Sequence, residues 1–589
     1  MTSFFDVQNT VSPFNDSAPA GNISGDATVT VTAGDISSQG NLEFAVLNND
    51  YRFLSTGGTI GGDASVFVTA NSISTGGFFQ PLVNNTNGTI GGSAAVTVGV
   101  TGDISVGANT FFNILNTGGD IGGDALSNLT AVNFSTGSTF NFQILNESGN
   151  IGGSALLTAA LSGSLTSAGD AFIQITNGDG TIGSDAAINM NAVNISTGGS
   201  LFATIFNTVG NIGGSANITF DLTGDLTTTG DANFLIDNFG DVEFGGGGTI
   251  GGDAVISVAV ANISARSFLA QIDNSNGGTI VGNATIDMNV SGSATVTSDA
   301  TVQILGSDDA ATAAINLDGG SYDAGGTFLA LIDGDGAVTF NNASVHADVL
   351  KVGALGTNGV LNIGGGSLSA DTTLKLYAPG SNGAVNFTAN VTLSSETNVL
   401  IAANTVTINN GIVVTIAGDD GADAFVFTNV PNYTGSGGND SATGMFAGNG
   451  AQTLPLDQAP PFDDLGAPDA PAKNSTTSVG TTAPIPTTNP DLPENRGSGG
   501  ADPIIPRSRP RVAIARVADS NELLDLADKM TSGPIETGHH RSNAPADKTS
   551  RGPASASSRK GPLLTPTANV ASAKLTFIPS GDRRPVSPP

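Results

Sequence analysis

The sequence predicts an all-β fold, a right-handed parallel β-helix with rungs of roughly 30 residues, followed by a disordered Pro-rich tail. Three observations predict it. A Gly-containing motif recurs along the first half of the chain, apolar residues alternate with polar ones after each copy, and 81 of the 589 residues are Gly. Alternation indicates strands with one buried face, and Gly with Asn, Asp and Ser indicates tight turns between them.

The motif reads Ile-Gly-Gly-(Asp/Ser)-Ala, with small departures such as Ser24 in the first copy and Val281 in the last. Its Ile occupies positions 23, 60, 90, 121, 151, 182, 212, 250 and 280, so the spacings are 37, 30, 31, 30, 31, 30, 38 and 30. The two long intervals contain the insertions NNDYRFLS and FGDVEFGG. A fixed period of this length is typical of a solenoid, in which each unit buries its apolar face only against its neighbours.

The copies alternate between two types. The residue before the motif Ala is Asp at 63, 124, 185 and 253, and it is Ser or Asn at 93, 154, 215 and 283. The structural unit is therefore a doublet of about 61 residues. Asp on every second rung would lie roughly 10 Å apart, which is too far for a continuous metal ladder.

Two columns define the predicted rung. An Ala follows Asp or Ser in every copy, which indicates a crowded inward corner, and an Asn follows the second strand. We predict structural roles for Ala64, Ala94, Ala125, Ala155, Ala186, Ala216, Asn84, Asn116, Asn146, Asn177 and Asn207. Stacked Asn side chains can form an internal amide ladder, and a row that binds a ligand is the alternative. Stacked antiparallel hairpins or a propeller are the rival architectures.

The composition divides the chain into four parts. Residues 1–19 form an N-terminal extension, 20–290 the regular repeats, and 291–435 a less regular continuation that caps the coil. Of 26 Pro, 21 lie after residue 450, so 436–589 is predicted to be a disordered tail. Within it, Asp519 and Glu522 resemble a capping box, which predicts a short helix over 519–530.

The distribution of charge excludes some partners. The net charge is −32, and residues 1–450 contain four of the 19 Lys and Arg, namely Arg52, Arg266, Lys351 and Lys375. So few cations cannot neutralise a nucleic-acid backbone or dock on anionic lipid. No apolar run is long enough for a membrane helix. The first residues, MTSFFDVQNTVSPFNDSAPAG, contain no recognisable secretory signal.

The sequence offers few residues for catalysis. There is no Cys, and His346 is the one His before the tail, which contains His539 and His540. Neither a nucleophilic triad nor a zinc site can be assembled from these residues with any specificity. We therefore expect no enzyme and no cofactor. A β-helical carbohydrate-active enzyme with paired carboxylates is the alternative.

Calcium is the one ligand that specific residues suggest. Asp333 and Asp335, and also Asp419, Asp420 and Asp423, place carboxylates close together on Gly-rich turns. Calcium needs several such oxygens. The competing interpretation is that these are ordinary solvated turns, because no EF-hand or tandem nonapeptide motif is present.

Units such as ISTGGSLFATIFNTVGNIGGSANITFDLTGDL, over 195–226, resemble the repeats of bacterial filamentous-haemagglutinin-like and autotransporter-passenger proteins. The resemblance spans roughly residues 20–430 and implies a right-handed β-helix that is exported as a surface scaffold or adhesin. It implies an extracellular or outer-surface location, with surface carbohydrate or a host or matrix protein as partner. A calcium-stabilised surface-layer protein is a further alternative. No functional residue carries over, and the chain shows neither the signal nor the membrane barrel of those families.

Overall fold

The computed structural model confirms an all-β parallel solenoid. It describes residues 3–9, 21–48, 57–239, 246–395, 398–409, 412, 414–417, 426–428, 432–434 and 453–454, which all belong to one compact unit. Every strand pair among them is parallel, in sheets of 27, 15 and nine strands. Parallel pairing throughout rules out the rival hairpin and propeller architectures.

Each full rung contains four strands, which we name a, b, c and d in chain order. Each strand pairs with its counterpart in the next rung, so four ladders run along the coil. Strand a contains the motif Ile. Ladder a consists of Asn22–Ile23, Thr59–Ile60, Thr89–Ile90, Asp120–Ile121, Asn150–Ile151, Thr181–Ile182, Asn211–Ile212, Thr249–Ile250 and Thr279–Ile280.

Strand b begins at the motif Ala and shows the predicted alternation, with every second residue buried. Ladder b consists of Ala27–Thr32, Ala64–Ala70, Ala94–Val100, Ala125–Ala131, Ala155–Leu161, Ala186–Ala192, Ala216–Leu222, Ala254–Val260, Ala284–Val290, Ala313–Asp318, Ala337–Asn341, Val360–Gly364, Ala384–Phe387, Thr405–Ile408 and Asn432–Thr434.

Strands c and d follow around two further corners. Ladder c consists of Asp35–Ser38, Ser72–Thr75, Ile104–Val106, Phe134–Thr136, Ser164–Ser167, Asn194–Thr197, Asp225–Thr228, Asn262–Ala265, Ser293–Val296, Val391–Ser395 and Val414–Ala417. Ladder d consists of Ser3–Gln8, Leu42–Leu47, Phe79–Asn84, Thr110–Leu115, Phe140–Leu145, Ala171–Thr176, Leu201–Phe206, Ala232–Asp237, Phe268–Asp273, Ala300–Leu305, Asn398–Ala403, Val426–Thr428 and Thr453–Leu454.

The rung shortens after Ile280. Strands c and d merge into the long strands Ser321–Ile332, Ser344–Ala354 and Gly366–Ala378, and strand a is absent from the described rungs beyond this point. A one-turn 3-10 helix, Ser307–Asp309, lies at the transition. Beyond it each rung contains fewer residues. Val338 pairs with Leu361 of the next rung, whereas Ala125 and its partner Ala155 are separated by a longer rung. The continuation is thus a regular stack with a smaller circumference.

One apolar core fills the coil from end to end. It is formed by the inward residues of all ladders, with Phe112, Phe134, Phe140 and Phe142 as contiguous edge-to-face and tilted rings. No helix long and apolar enough to cross a membrane occurs among the described residues.

The motif Gly residues are required by close packing between rungs. A Cβ on Gly122 would lie 2.4 Å from the carbonyl oxygen of Gly91 in the preceding rung. Neither residue has a positive φ, so close approach between rungs, and not a left-handed backbone, explains Gly at these positions.

Candidate interaction face

The predicted columns occupy defined positions in the stack. The motif Ala residues begin strand b, are buried, and pair with one another from rung to rung. This group consists of Ala64, Ala94, Ala125, Ala155, Ala186 and Ala216.

The Asn column is a buried chain of side-chain amides between strands d and a. In each step Nδ2 of one Asn donates to Oδ1 of the next at 2.7–2.8 Å. The second Nδ2 hydrogen reaches a strand a carbonyl, as from Asn177 to Asn211 at 3.2 Å. The members are Asn9, Asn48, Asn85, Asn116, Asn146, Asn177, Asn207, Asn238 and Asn274.

Asn84 does not belong to this column, and its assignment there was wrong. Leu47 pairs with Asn84, so Asn48 is followed by Asn85. The Oδ1 of Asn84 instead accepts from the backbone N–H and the hydroxyl of Thr86. The pattern of an apolar residue, one spacer and Asn fits both Leu82–Asn84 and Val83–Asn85. Counting from the strand b Ala distinguishes them, since the separation of Ala64 from Asn85 equals that of Ala27 from Asn48 and of Ala125 from Asn146.

The alternating Asp and Ser residues before the motif Ala act as caps between rungs. Asp63 Oδ1 accepts from the Ser93 N–H at 2.8 Å, and Ser93 Oγ accepts from the Asp124 N–H at 3.1 Å. Asp124 Oδ1 accepts in turn from Ser154 N–H at 2.8 Å. Carboxylate and hydroxyl oxygens perform the same task, which explains why the doublet tolerates either residue.

The described calcium candidates are engaged in similar contacts. Asp333 accepts from the N–H groups of Gly306 and Ser307, at 2.8 and 3.1 Å. Asp335 accepts from the backbone N–H and side-chain amide of Asn358, which lowers the pKa of this carboxyl. No group of three or more metal-ligating residues is present in the described part of the chain. Asp419, Asp420, Asp423 and the predicted helix 519–530 lie outside the described residues.

Two charged contacts were not anticipated. Arg266 forms a bidentate pair with buried Asp231, with Nε–Oδ1 and Nη2–Oδ2 distances of 2.9 and 2.7 Å. His346 lies between two carboxylates of adjacent rungs, 3.0 Å from Asp323 and 3.1 Å from Asp371. The hydrogen bond that Asp323 accepts is the main cause that raises the pKa of His346.

The outer surface of ladder d is the most distinctive surface of the coil. From Glu43 onward its outward side chains form three parallel columns, which we call outer face d. The outward residues of the preceding strand, Phe4, Asp6 and Gln8, are exposed and are not counted in it. The first column is Glu43, Gln80, Phe111, Asn141, Phe172, Phe202, Asn233, Leu269, Thr301, Leu329, Lys351 and Lys375. The middle column is Ala45, Leu82, Asn113, Gln143, Gln174, Thr204, Leu235, Gln271, Gln303 and Leu331. The third is Leu47, Asn84, Leu115, Leu145, Thr176, Phe206, Asp237, Asp273 and Leu305.

Side chains on outer face d pack against one another along the coil. The rings of Phe172 and Phe202 stack at 5.0 Å with an interplanar angle of 6°. Gln143 donates to Gln174, and Gln303 donates to Gln271, both at 2.9 Å. Every side chain in the three columns is buried or half-buried, so the columns form a continuous layer.

Some polar groups in this layer are poorly solvated. Burial, with the charge of Asp6 as a second cause, raises the pKa of Glu43 to about 7. Burial followed by the charge of Asp273 in the next rung raises the pKa of Asp237 to about 7. Among the described residues, buried oxygens of Asn113, Thr204 and Gln303 accept no hydrogen bond. All three belong to the middle column, and unmade bonds of this kind cost free energy.

Comparison with protein-family models, curated proteins and solved structures found no match to this chain. The function therefore has to be argued from the geometry of the coil itself.

Proposed function

We propose that the protein is a non-catalytic structural scaffold of the adhesin type that acts at the outer cell surface. Outer face d is its contact surface. The observation that carries the proposal is the continuous layer of aromatic, aliphatic and amide side chains on this face, over the ten rungs from Glu43 to Leu329. The half-buried rings and aliphatic side chains of its first column keep partial access to solvent, and a contiguous apolar patch with solvent access is typical of an interaction site.

The construction of the coil supports a scaffold. The Asn ladder, the Asp and Ser caps and the single core each link one rung to the next, and this spreads stability along the whole length. A protein built in this way holds a long surface in a fixed shape, which suits repeated contacts with a large partner.

The composition of outer face d narrows the kind of partner. Phe111, Phe172 and Phe202 offer ring surface, and the glutamines beside them offer donors and acceptors. Aromatic residues surrounded by hydrogen-bonding groups are enriched where proteins contact other proteins. Aromatic rings also stack on the apolar faces of sugars. Surface carbohydrate and host or matrix protein are therefore the partner classes that we propose.

A fractionation and binding experiment tests this function. Cells that produce the protein are separated into surface, secreted and cytosolic fractions, and the purified full chain is tested on carbohydrate, matrix-protein and cell surfaces. We expect surface localisation and binding that Phe172→Glu with Phe202→Glu abolishes. Phe67→Glu is the matched control, because Phe67 is an exposed Phe on the outer side of strand b. A purely cytosolic protein, or binding that the double variant leaves intact, would contradict the proposal.

A further inference from the structure

We infer that outer face d binds the same face of a second copy of this chain, with the two coil axes antiparallel. The twofold axis runs parallel to the d strands and passes between the rungs of Phe202 and Asn233. This inference deepens the proposed function, because it takes outer face d as the contact surface and names its partner.

The distribution of charge along the first column carries this arrangement. The column carries Glu43 towards one end and Lys351 and Lys375 towards the other, with nine uncharged residues between them, and the flanking positions are Phe4 and Leu400. These lysines are two of only four cations in residues 1–450. Antiparallel packing places the acidic end of each copy against the basic end of the other. Parallel packing would place Glu43 opposite apolar Leu47 of the same rung, because the first and third columns would then face each other.

Most of the remaining residues of the first column also match when its order is reversed. Counting rungs outward from the proposed axis, Phe202 faces Asn233, and each of the four positions beyond them meets one of similar character. Gln80 faces Lys351, Phe111 faces Leu329, Asn141 faces Thr301, and Phe172 faces Leu269. Apolar residues thus bury apolar surface, and polar residues meet hydrogen-bonding partners.

The middle column supplies an independent match. The same axis places Gln143 opposite Gln303 and Gln174 opposite Gln271. Gln143 is half-buried and Gln303 is fully buried within its own chain, so the match in this column is one of like side chains at corresponding heights. The same axis pairs Thr204 with Leu235.

The size of outer face d is adequate for a stable dimer. Twelve rungs at ~4.8 Å give a length of roughly 55 Å, and a six-residue strand is roughly 20 Å wide. The resulting footprint is about 1,100 Å² per copy, and its half-buried first and third columns supply the accessible part, against the ~800 Å² that each partner buries in a standard interface.

The outer side of ladder b does not offer this complementarity. Its charged residues are acidic, with Asp221, Asp287 and Asp318 in its outward columns, and none of its described outward residues is Lys or Arg. Two such faces would repel each other. Of these two faces, the observations select outer face d for self-association.

Sedimentation of the full chain tests whether it forms a dimer, and distances between labels on the two copies test the geometry of that dimer. Because the chain has no Cys, one introduced Cys gives a single label per copy. We expect a dimer in which labels on Asn233→Cys lie within about 20 Å of each other, because this position is next to the axis. Labels on Gln80→Cys should lie roughly 45 Å apart, nine rungs from their counterpart. A monomer at every concentration, or a short distance at Gln80→Cys, would overturn the inference.

Charge exchange gives a second readout in folded protein. Glu43→Lys should weaken dimerisation about threefold to tenfold, because it brings together like charges at both ends of the pair. Adding Lys375→Glu should restore it. Phe172→Glu should weaken it about tenfold or more, whereas Phe67→Glu should not, and circular dichroism checks that each variant is folded. If Lys375→Glu does not restore the dimerisation that Glu43→Lys weakens, antiparallel packing is contradicted.

These experiments distinguish a failure of the dimer inference from a failure of the proposed function. A dimer found only in the cytosol would uphold the inference and contradict the surface role. A surface protein that binds carbohydrate or matrix as a monomer would uphold the surface role and overturn the inference.

Discussion

The outer sides of ladders b and d belong to the same rungs, yet their surfaces differ. The second and third outward positions of strand b are mostly Thr, Asn and Asp, and several of these side chains are exposed. From Glu43 onward strand d presents mostly Leu, Gln, Phe and Asn, and none of its outward side chains in the three columns is exposed. Both strands contribute alike to the core, so stacking alone does not require this difference. It indicates that one side of the coil is adapted to water and the other to contact.

The largest expected effect is a difference in unfolding free energy between substitutions at two asparagines of neighbouring rungs. Asn177 lies in the buried ladder beside strand d, and Asn189 lies on the outer side of strand b. Asn177→Leu removes the Oδ1 acceptor of the Asn146 amide and the donor to the oxygen of Asn207, so we expect a loss of about 2–4 kcal/mol in unfolding free energy. Asn189→Leu should change it by less than about 0.5 kcal/mol.

Urea unfolding followed by circular dichroism measures both variants. Equal effects of the two substitutions would show that the amide ladder contributes no more than an outward Asn.

The next effect compares two outward phenylalanines. Phe172 stacks on Phe202, whereas Phe67 is 39% exposed and lies on strand b. We expect Phe172→Ala to cost about 1 kcal/mol, since stacked pairs contribute on this scale. Phe67→Ala should have little effect on the unfolding midpoint. The double change Phe172→Ala with Phe202→Ala should cost less than the sum of the single changes, and strict additivity would show that the stack is not an energetic unit.

A smaller effect tests the caps that alternate between Asp and Ser. Asp124→Ala removes the acceptor for the Ser154 N–H, and we expect a loss of about 1 kcal/mol. Asp124→Ser should recover most of this loss, because Ser93 and Ser215 serve as caps in other rungs. The midpoint of thermal unfolding checks both variants. If Asp124→Ser is as unstable as Asp124→Ala, the two cap types are not equivalent.

The smallest effect concerns His346, which lies on the outer surface of the short rungs between the carboxylates of Asp323 and Asp371. Because Asp323 and Asp371 raise its pKa in the folded protein, stabilisation by the charged imidazole is fully present below the ordinary value of 6.5. It is lost as the pH rises through the raised folded value. A proton titration followed by NMR should give a pKa above 6.5, and Asp323→Asn should lower it. A value at or below 6.5 in the unaltered protein would contradict this account.

The sequence predicts the stack well because its strongest signals are the ones that stacking requires. Ala at the start of strand b, alternation within it and Asn before strand a each repeat in register. It fails at Asn84, where two adjacent asparagines fit the same local pattern and only pairing with Leu47 selects between them. The shorter rungs were also missed, since loss of strand a and merging of c with d leave no repeated motif to count.

Outer face d was not predicted for a related reason. Its polar and apolar residues change from rung to rung, so no single position repeats. A signal was present in Phe111, Phe172 and Phe202, which occupy outward positions of strands that already place other apolar residues inward. The pairing of His346 with Asp323 and Asp371 likewise joins residues that are distant in the sequence, and only the rung length brings these together.

Hydroxyl-radical footprinting at increasing protein concentration tests the central difference most directly, because it reports the solvent access of each Phe in the unaltered chain. We predict that Phe111, Phe172 and Phe202 become protected as concentration rises, while the oxidation rate of Phe67 does not change. Protection of Phe67 instead, or constant oxidation rates at all four residues, would contradict the conclusion that outer face d is the contact surface between copies of this chain.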